Sequence, residues 1–245
     1  MVDIHCHILP EVDDGAGSMP EALAMARMAV ECGVTDLAAT SHYRAQWDNL
    51  ARLEELKQAF WDVREALAQE QIPLRLHPGA EILCSWDTVE LAADGLLPGL
   101  GGTDYVLCEF RFDAECAYMD DILSGIAKAG YRPVVAHPER YAAIQRDPRR
   151  VRHWFGREYV IQMDKGSVLG SLGSRAQDAA GWLLEAGCVH MVASDAHSAR
   201  RRTTKLSGLQ AYLRERYPRE YVRLLLEDNP GRLLRGEPML PVESF

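Results

Sequence analysis

Residues 1–15 read MVDIHCHILPEVDDG, with His5 and His7 two positions apart and Asp13 and Asp14 just beyond. The run 2–7 has the character of a strand. Side chains two apart on a strand share a face, so both imidazoles can reach one ion. Cys6, between them, faces the other way and belongs to the core. An HxH pair alone is weak evidence, and an acidic loop after a strand is ordinary. The stretch gains meaning only if the rest of the chain delivers similar residues to similar places.

Six further apolar runs follow, at 34–40, 74–81, 104–110, 132–138, 158–163 and 188–195. Helical patterns separate them. In 18–33, Ser18 is a good N-cap, Glu21 completes a capping box, and Gly33 sits at the C′ position. Met25, Met28, Ala29 and Cys32 form its apolar face. In 47–71, Leu53, Leu56, Phe60, Val63 and Leu67 recur at helical spacing. Further helices are expected near 115–129, 142–154, 174–186 and 203–216. Strands alternating with helices, and apolar on both faces, predict a parallel sheet covered by helices. The expected fold is α/β, one domain over 1–245 built as a parallel barrel of seven strands. The turn-rich segment 228–245 reads as a surface tail, above all 236–245.

Bulk properties narrow the function. The 245 residues suit one large domain, and 47% apolar content supports a sizeable core. With 27 Lys and Arg against 36 Asp and Glu, the net charge is −9. That opposes nucleic-acid binding, which rests on neutralising phosphates. It leaves an anionic substrate open, because bound cations invert the local field. The six cysteines, at 6, 32, 84, 108, 116 and 188, form no CxxC pair. They read as buried thiols of a reducing compartment. Without a signal-peptide pattern or membrane-length apolar run, the expected location is the cytoplasm, with no membrane insertion.

In an α/β barrel the active site lies at the C-terminal ends of the strands. There the sequence places His5 and His7, then His42, Glu81, Glu109, His137, the pair Gln162 and Asp164, and finally Asp195 and His197. His77, His153 and His190 fall elsewhere and receive no role. Imidazole and carboxylate ligands suit Mn, Fe or Zn. They outnumber what one ion can use, which points to a multi-metal site able to activate water and clamp a phosphoryl group. Arg140, just beyond His137, and Arg202, five residues after His197, are candidate phosphate binders. Any one arginine of 200–202, taken alone, reads as part of a solvated loop.

The motifs MVDIHCHILPEVDDG, AATSHY, GAEI, CEF, AHPERY, GSVLG and SDAH, in this order, resemble the PHP (polymerase and histidinol phosphatase) superfamily. More narrowly, the chain resembles bacterial capsule-type, metal-dependent protein tyrosine phosphatases over about residues 1–235. The resemblance implies a distorted (β/α)7 barrel with a trinuclear, manganese-dependent site. Its first metal would use His5, His7, Glu81 and Asp195. The second would use Glu81, Glu109 and His137, and the third Asp14, His42 and His197, with Asp13 a supporting residue. Arg140 and Arg202 would hold phosphate. The implied reaction hydrolyses protein phosphotyrosine, often on a bacterial tyrosine kinase that controls polysaccharide export. The chain departs from the pattern at Ser41, where proline is frequent, and at QMDKGS (162–167), where Asp164 and Lys165 replace a small neutral pair.

One check is independent of the resemblance. Cysteine-based tyrosine phosphatases need an arginine six residues after the nucleophilic cysteine, and none of the six cysteines has one. A phosphatase built on this chain would therefore use metal-bound hydroxide. The competing readings are a small-molecule phosphatase such as a histidinol phosphatase, a phosphodiesterase, and a non-catalytic metal-binding barrel.

Overall fold

Seven stretches of chain run parallel, as the periodicity requires, but two of them are interrupted. The computed structural model describes residues 1–243, so the last two positions of the expected tail lie outside the described residues. The strands are β1 (Val2–Cys6), β2 (Asp36–Ala39), β3 (His42–Arg44), β4 (Arg75–His77), β5 (Glu81–Leu83), β6 (Tyr105–Glu109), β7 (Arg132–Ala136), β8 (Val160–Asp164) and β9 (Met191–Ala193). The second expected strand is β2 followed by β3, broken at Thr40 and Ser41. The third is β4 followed by β5, broken at Pro78, Gly79 and Ala80.

The breaks have local causes. Thr40 turns its hydroxyl to accept from the Cys6 amide at 2.9 Å. Pro78 has no amide to donate to a ladder. At Gly79 a Cβ would come within 2.7 Å of a Leu100 methyl, so a larger residue would have to displace that buried side chain. The result is two parallel sheets, β1-β2-β4 and β3-β5-β6-β7-β8-β9. They meet again beyond β9. Cys6 pairs in parallel with Ala196, the Asp195 amide donates to His5 O at 2.9 Å, and the His7 amide donates to Ala196 O at 2.8 Å. This is the course of a distorted (β/α)7 barrel. It corrects one expectation: Glu81 opens β5 rather than ending its strand, and it lies directly opposite His42.

Alternation along the strands builds two layers on the inner face. On β6, Tyr105 and Leu107 lie in an apolar floor and Glu109 stands above them. On β8, Val160 lies below Gln162 and Asp164. The floor also contains Ile4, Ala38, Val134, Ala136, Met191 and Ala193, all buried. β1 advances three residues against two on β2 between Asp3 and Cys6. This bulge lets Ile4 join the floor while the next residue, His5, reaches the layer above.

The helices are α1 (Met19–Glu31), α2 (Leu50–Gln69), α3 (Trp86–Ala93), α4 (Cys116–Lys128), α5 (Ala142–Arg146), α6 (Val151–Phe155), α7 (Lys165–Val168), α8 (Ser174–Glu185), α9 (Ser207–Arg216), α10 (Arg219–Arg223) and α11 (Asn229–Leu233). Their apolar faces pack on outward strand residues such as Cys108 and Ile161. Ser18 caps α1 as expected, and Gly33 takes the left-handed conformation beyond its end. The Glu21 carboxylate, however, accepts from the Gly17 and Ala199 amides, so the capping box is only half made. The helix expected at 142–154 is split, because Pro148 starts a new turn between α5 and α6. The helix expected from 203 begins only at Ser207, and α3 was not anticipated.

The tail requires a larger correction. Residues 229–234 are not surface turns. Leu233 and Leu234 are buried in the floor cluster beside Ile4 and plug the bottom of the barrel. Asn229 is buried and holds the Leu240 amide at 2.8 Å. Only from Gly236 to Glu243 does the chain lie along the surface. Leu233→Ala should therefore cost about 2–5 kcal/mol in urea unfolding, as for a buried leucine in a packed core. A loss below about 0.5 kcal/mol, typical of a surface position, would contradict this placement.

Candidate metal centre

Above the floor, side chains from six different strands or strand ends converge. Glu81 is at the middle. Its Oε1 lies 3.2 Å from His5 Nε2 and 2.8 Å from His137 Nε2, and its Oε2 lies 3.2 Å from both His7 Nε2 and His42 Nδ1. Asp195 Oδ1 stands 3.4 Å from His5 Nε2 and 3.5 Å from His7 Nε2. Glu109 is 3.7 Å from His42 and 3.8 Å from His137. At the mouth, Asp14 Oδ1 lies 3.4 Å from His42 Nε2 and 3.6 Å from His197 Nε2.

Among the described residues, three groups have ligand atoms close enough to share an ion: His5, His7, Glu81 and Asp195; His7, Asp14, His42 and His197; and His42, Glu81 and Glu109. The first matches the set implied by the sequence resemblance, and the second adds His7 to it. In the third, His42 stands where the resemblance implied His137. His137 instead lies against Glu81, a little farther from Glu109. All nine expected ligand residues thus belong to one continuous cluster. His77 pairs with Asp36 at 2.9 Å and His190 stacks on Phe155, both outside it.

Neighbouring groups fix the imidazole tautomers. Gln162 donates its amide to Met163 O, so its Oε1 is left to accept from His5 Nδ1 at 2.9 Å. Asp13 Oδ2 accepts from His7 Nδ1 at 2.8 Å and from the His42 amide at 2.9 Å. His197 Nδ1 donates to Asp195 O at 3.0 Å. Each arrangement presents Nε2 to the cluster, as a metal-ligating histidine requires. Gln162 thus has a specific partner in His5, and Asp13 holds the His7 ring and the His42 backbone at once. His137, Asp195 and Arg202 have left-handed backbones, with φ of 33°, 46° and 47°. Such conformations cost a non-glycine residue about 1–3 kcal/mol and concentrate at functional sites.

The electrostatics explain why the cluster suits cations. Burial opposes the charge on His5, but the Glu81 and Asp195 carboxylates outweigh it and hold its imidazole up at about 9. Burial would raise Glu81, yet the His5 charge and the His137 hydrogen bond hold it well below the usual carboxylate range. Glu109, desolvated and beside Glu81, is pushed up to about 8. His137 is lowered by burial, and His197 falls to about 4 through burial and the nearby His7 charge. With no metal, protons do the neutralising. His5 Nε2 and His7 Nε2 lie only 3.3 Å apart, and buried Asp195 Oδ1 has no hydrogen-bond partner. An oxygen and nitrogen donor set aimed at shared points fits divalent ions of the Mn, Fe or Zn type.

Arginines stand on the other side of Asp195. Its Oδ2 accepts from Arg140 Nη1 at 2.9 Å and from Arg202 Nη2. Arg202 Nη1 also donates to His197 Nε2 at 3.2 Å. Arg140 lies 4.6 Å over the Phe112 ring and 3.7 Å from Asp164 Oδ2. Asp164 thus faces the arginine rather than the imidazoles. Glu139, which the sequence gave no reason to single out, is buried and accepts from the Asp164 amide at 3.0 Å.

Comparison with known proteins agrees with this geometry. The model of the capsular polysaccharide synthesis CpsB/CapC family matches residues 1–235. The chain is 34% identical over 239 residues to tyrosine-protein phosphatase YwqE of Bacillus subtilis, covering 97% of this chain and 92% of that protein. It is 30% identical over 242 residues to tyrosine-protein phosphatase CpsB of Streptococcus pneumoniae, covering 97% and 99%. A crystal structure from a study of YwqE and CpsB, described as unique metal-dependent tyrosine phosphatases, superimposes with a TM-score of 0.89 at 32% identity, covering 100% of this chain and 99% of that one. Dihydropyrimidinase from Brevibacillus agri, at 11% identity and a TM-score of 0.55 over 99% of this chain and 73% of its own, shares the fold.

Ligation requires deprotonated imidazoles. His5, His7 and Glu109 carry protons near neutrality, so manganese added to chelator-stripped protein at pH 7.5 should release on the order of three protons per chain. Apparent affinity should rise as pH rises through 8 to 9. Calorimetry in buffers of different ionisation enthalpy reads this directly. Binding without proton release would contradict the assigned protonation.

Proposed function

The chain belongs to the capsular polysaccharide synthesis CpsB/CapC family, and on that premise we propose that it is a metal-dependent phosphomonoesterase that hydrolyses protein phosphotyrosine. The observation that carries the reading is the division of Asp195. One oxygen faces the His5 and His7 imidazoles, and the other faces Arg140 and Arg202. A dianion bound beside the cluster would meet both arginines.

His5, His7, Asp14, His42, Glu81, Glu109, His137, Asp195 and His197 would hold the ions, three of them, with manganese the proposed species. Bound there, divalent cations supply an activated water and offset phosphoryl charge. The protein's own groups do the rest. Arg140 and Arg202 transfer hydrogen bonds from Asp195 Oδ2 to phosphate oxygens and stabilise charge on them as the phosphorus–oxygen bond breaks. Phe112 holds the Arg140 guanidinium by stacking beneath it. Gln162 and Asp13 keep His5 and His7 in the ligating tautomer. The phenolate of tyrosine, with a conjugate-acid pKa of about 10, leaves with little protonation. The open cavity over the cluster, about 460 Å³, is lined by Asp14, His42, Leu83, Glu109 and Phe112 and has room for a phenyl phosphate.

The relatives' names support a phosphotyrosine protein as substrate, and the family description supports a place in capsule polysaccharide synthesis. A bacterial tyrosine kinase of that machinery is the proposed partner, and the cytoplasm the proposed location. No helix among the described residues is long and apolar enough to cross a membrane.

The test is hydrolysis of a phosphotyrosine peptide, a phosphoserine peptide and histidinol phosphate at equal concentration, with manganese and with chelator. Phosphotyrosine should be preferred and chelator should abolish turnover. Arg140→Ala should lower kcat/KM by roughly 10²–10³, as for loss of one charge-stabilising donor. Glu81→Ala should leave no measurable activity. Preference for histidinol phosphate, or full activity in Glu81→Ala, would overturn the reading.

A further inference from the structure

The cavity over the cluster does not end there. Leu83 and Arg111 line it, and they also line a second cavity of about 340 Å³ walled by Trp47, Cys84, Ser85 and Tyr118. Around the two lie Trp47, Trp86, Phe112 and Tyr118, which are 62%, 56%, 45% and 37% exposed. These are four of the eight large apolar side chains exposed among the described residues. Trp86 packs edge-on against Tyr118, with ring centres 6.5 Å apart. Aromatic side chains gathered on one side of a site, beside a pocket, mark a docking surface rather than scattered exposure.

We propose that the second cavity receives a large apolar or aromatic side chain of the phosphotyrosine-bearing peptide, so that the enzyme reads neighbouring residues as well as the phosphate. The inference rests on the phosphotyrosine reading above. Continuity with the substrate cavity through Leu83 and Arg111 argues for a peptide that crosses both. The reach is short. Ser85 is four residues beyond Glu81, which at about 3.3 Å per extended residue places the second cavity roughly 10–13 Å from the cluster. The accommodated side chain therefore lies within about three residues of the phosphotyrosine. A small phosphate ester has nothing to place there.

The experiment compares free phosphotyrosine with manganese-loaded enzyme against phosphotyrosine peptides that are otherwise all alanine and carry one leucine or phenylalanine at each position from −3 to +3. At one or more positions the apolar residue should raise kcat/KM at least fivefold over the all-alanine peptide, through KM. The ratio of kcat/KM for that peptide to kcat/KM for free phosphotyrosine should fall at least fivefold in Trp47→Ala and in Tyr118→Ala. It should be unchanged in Trp61→Ala, an exposed tryptophan on α2. The ratio cancels any general loss of folded enzyme. No positional preference, or a preference that survives both substitutions, overturns the proposal while leaving the phosphotyrosine reading intact. No hydrolysis of free phosphotyrosine or of any peptide overturns both.

Discussion

The Glu81 carboxylate is buried, and His5, His7, His42 and His137 each bring a ring nitrogen within 3.2 Å of it. A carboxylate taken out of water must be matched by positive charge or it costs several kcal/mol. Everything near it serves that match. The β1 bulge turns His5 upward, the break at Pro78 to Ala80 places Glu81 opposite His42, and the left-handed turn at His137 brings a fourth imidazole inward. Before any ion binds, protons on the imidazoles balance the charge. The same geometry with those protons removed offers its nitrogens and oxygens to divalent cations.

The apolar floor is what makes such a layer tolerable. Ile4, Leu107, Val134 and Met191 fill the barrel beneath the cluster, and Leu233 and Leu234 close it from below. Packing of this density holds side chains in place. It offsets the strained backbones of His137, Asp195 and Arg202 above it. Asp195 links the two halves of the site, with imidazoles on one oxygen and guanidiniums on the other. Movement of either arginine toward a phosphate would alter the charge felt by the whole cluster.

Much of this was legible in the sequence for a physical reason. Parallel strands under helices leave a clear apolar signature, and the barrel rule then says where polar residues at their ends must meet. His5, Glu109 and Asp195 follow from that rule alone. Other features leave no periodic trace. Nothing in the hydropathy of 34–44 or 74–83 shows that a strand changes sheets midway, so Glu81 was placed at an end when it is a beginning. The polar, turn-like composition of 228–245 hid two leucines that plug the barrel. Gln162 was visible as a polar residue, but its fixing of the His5 tautomer depends on a partner 157 positions away, and Asp13, which fixes His7 from six positions away, also holds a His42 amide 29 positions away. Glu139 and Phe112 gave no signal, because their importance comes only from contact with Asp164 and Arg140.

The central claim is that the Glu81 cluster is a metal centre. Crystals grown with manganese and measured at its absorption edge would test it most directly. The account predicts anomalous peaks enclosed by His5, His7, Glu81 and Asp195, and beside Asp14, His42 and His197. Absence of any peak within the cluster, with the imidazole–carboxylate contacts kept at the distances given above, would contradict it.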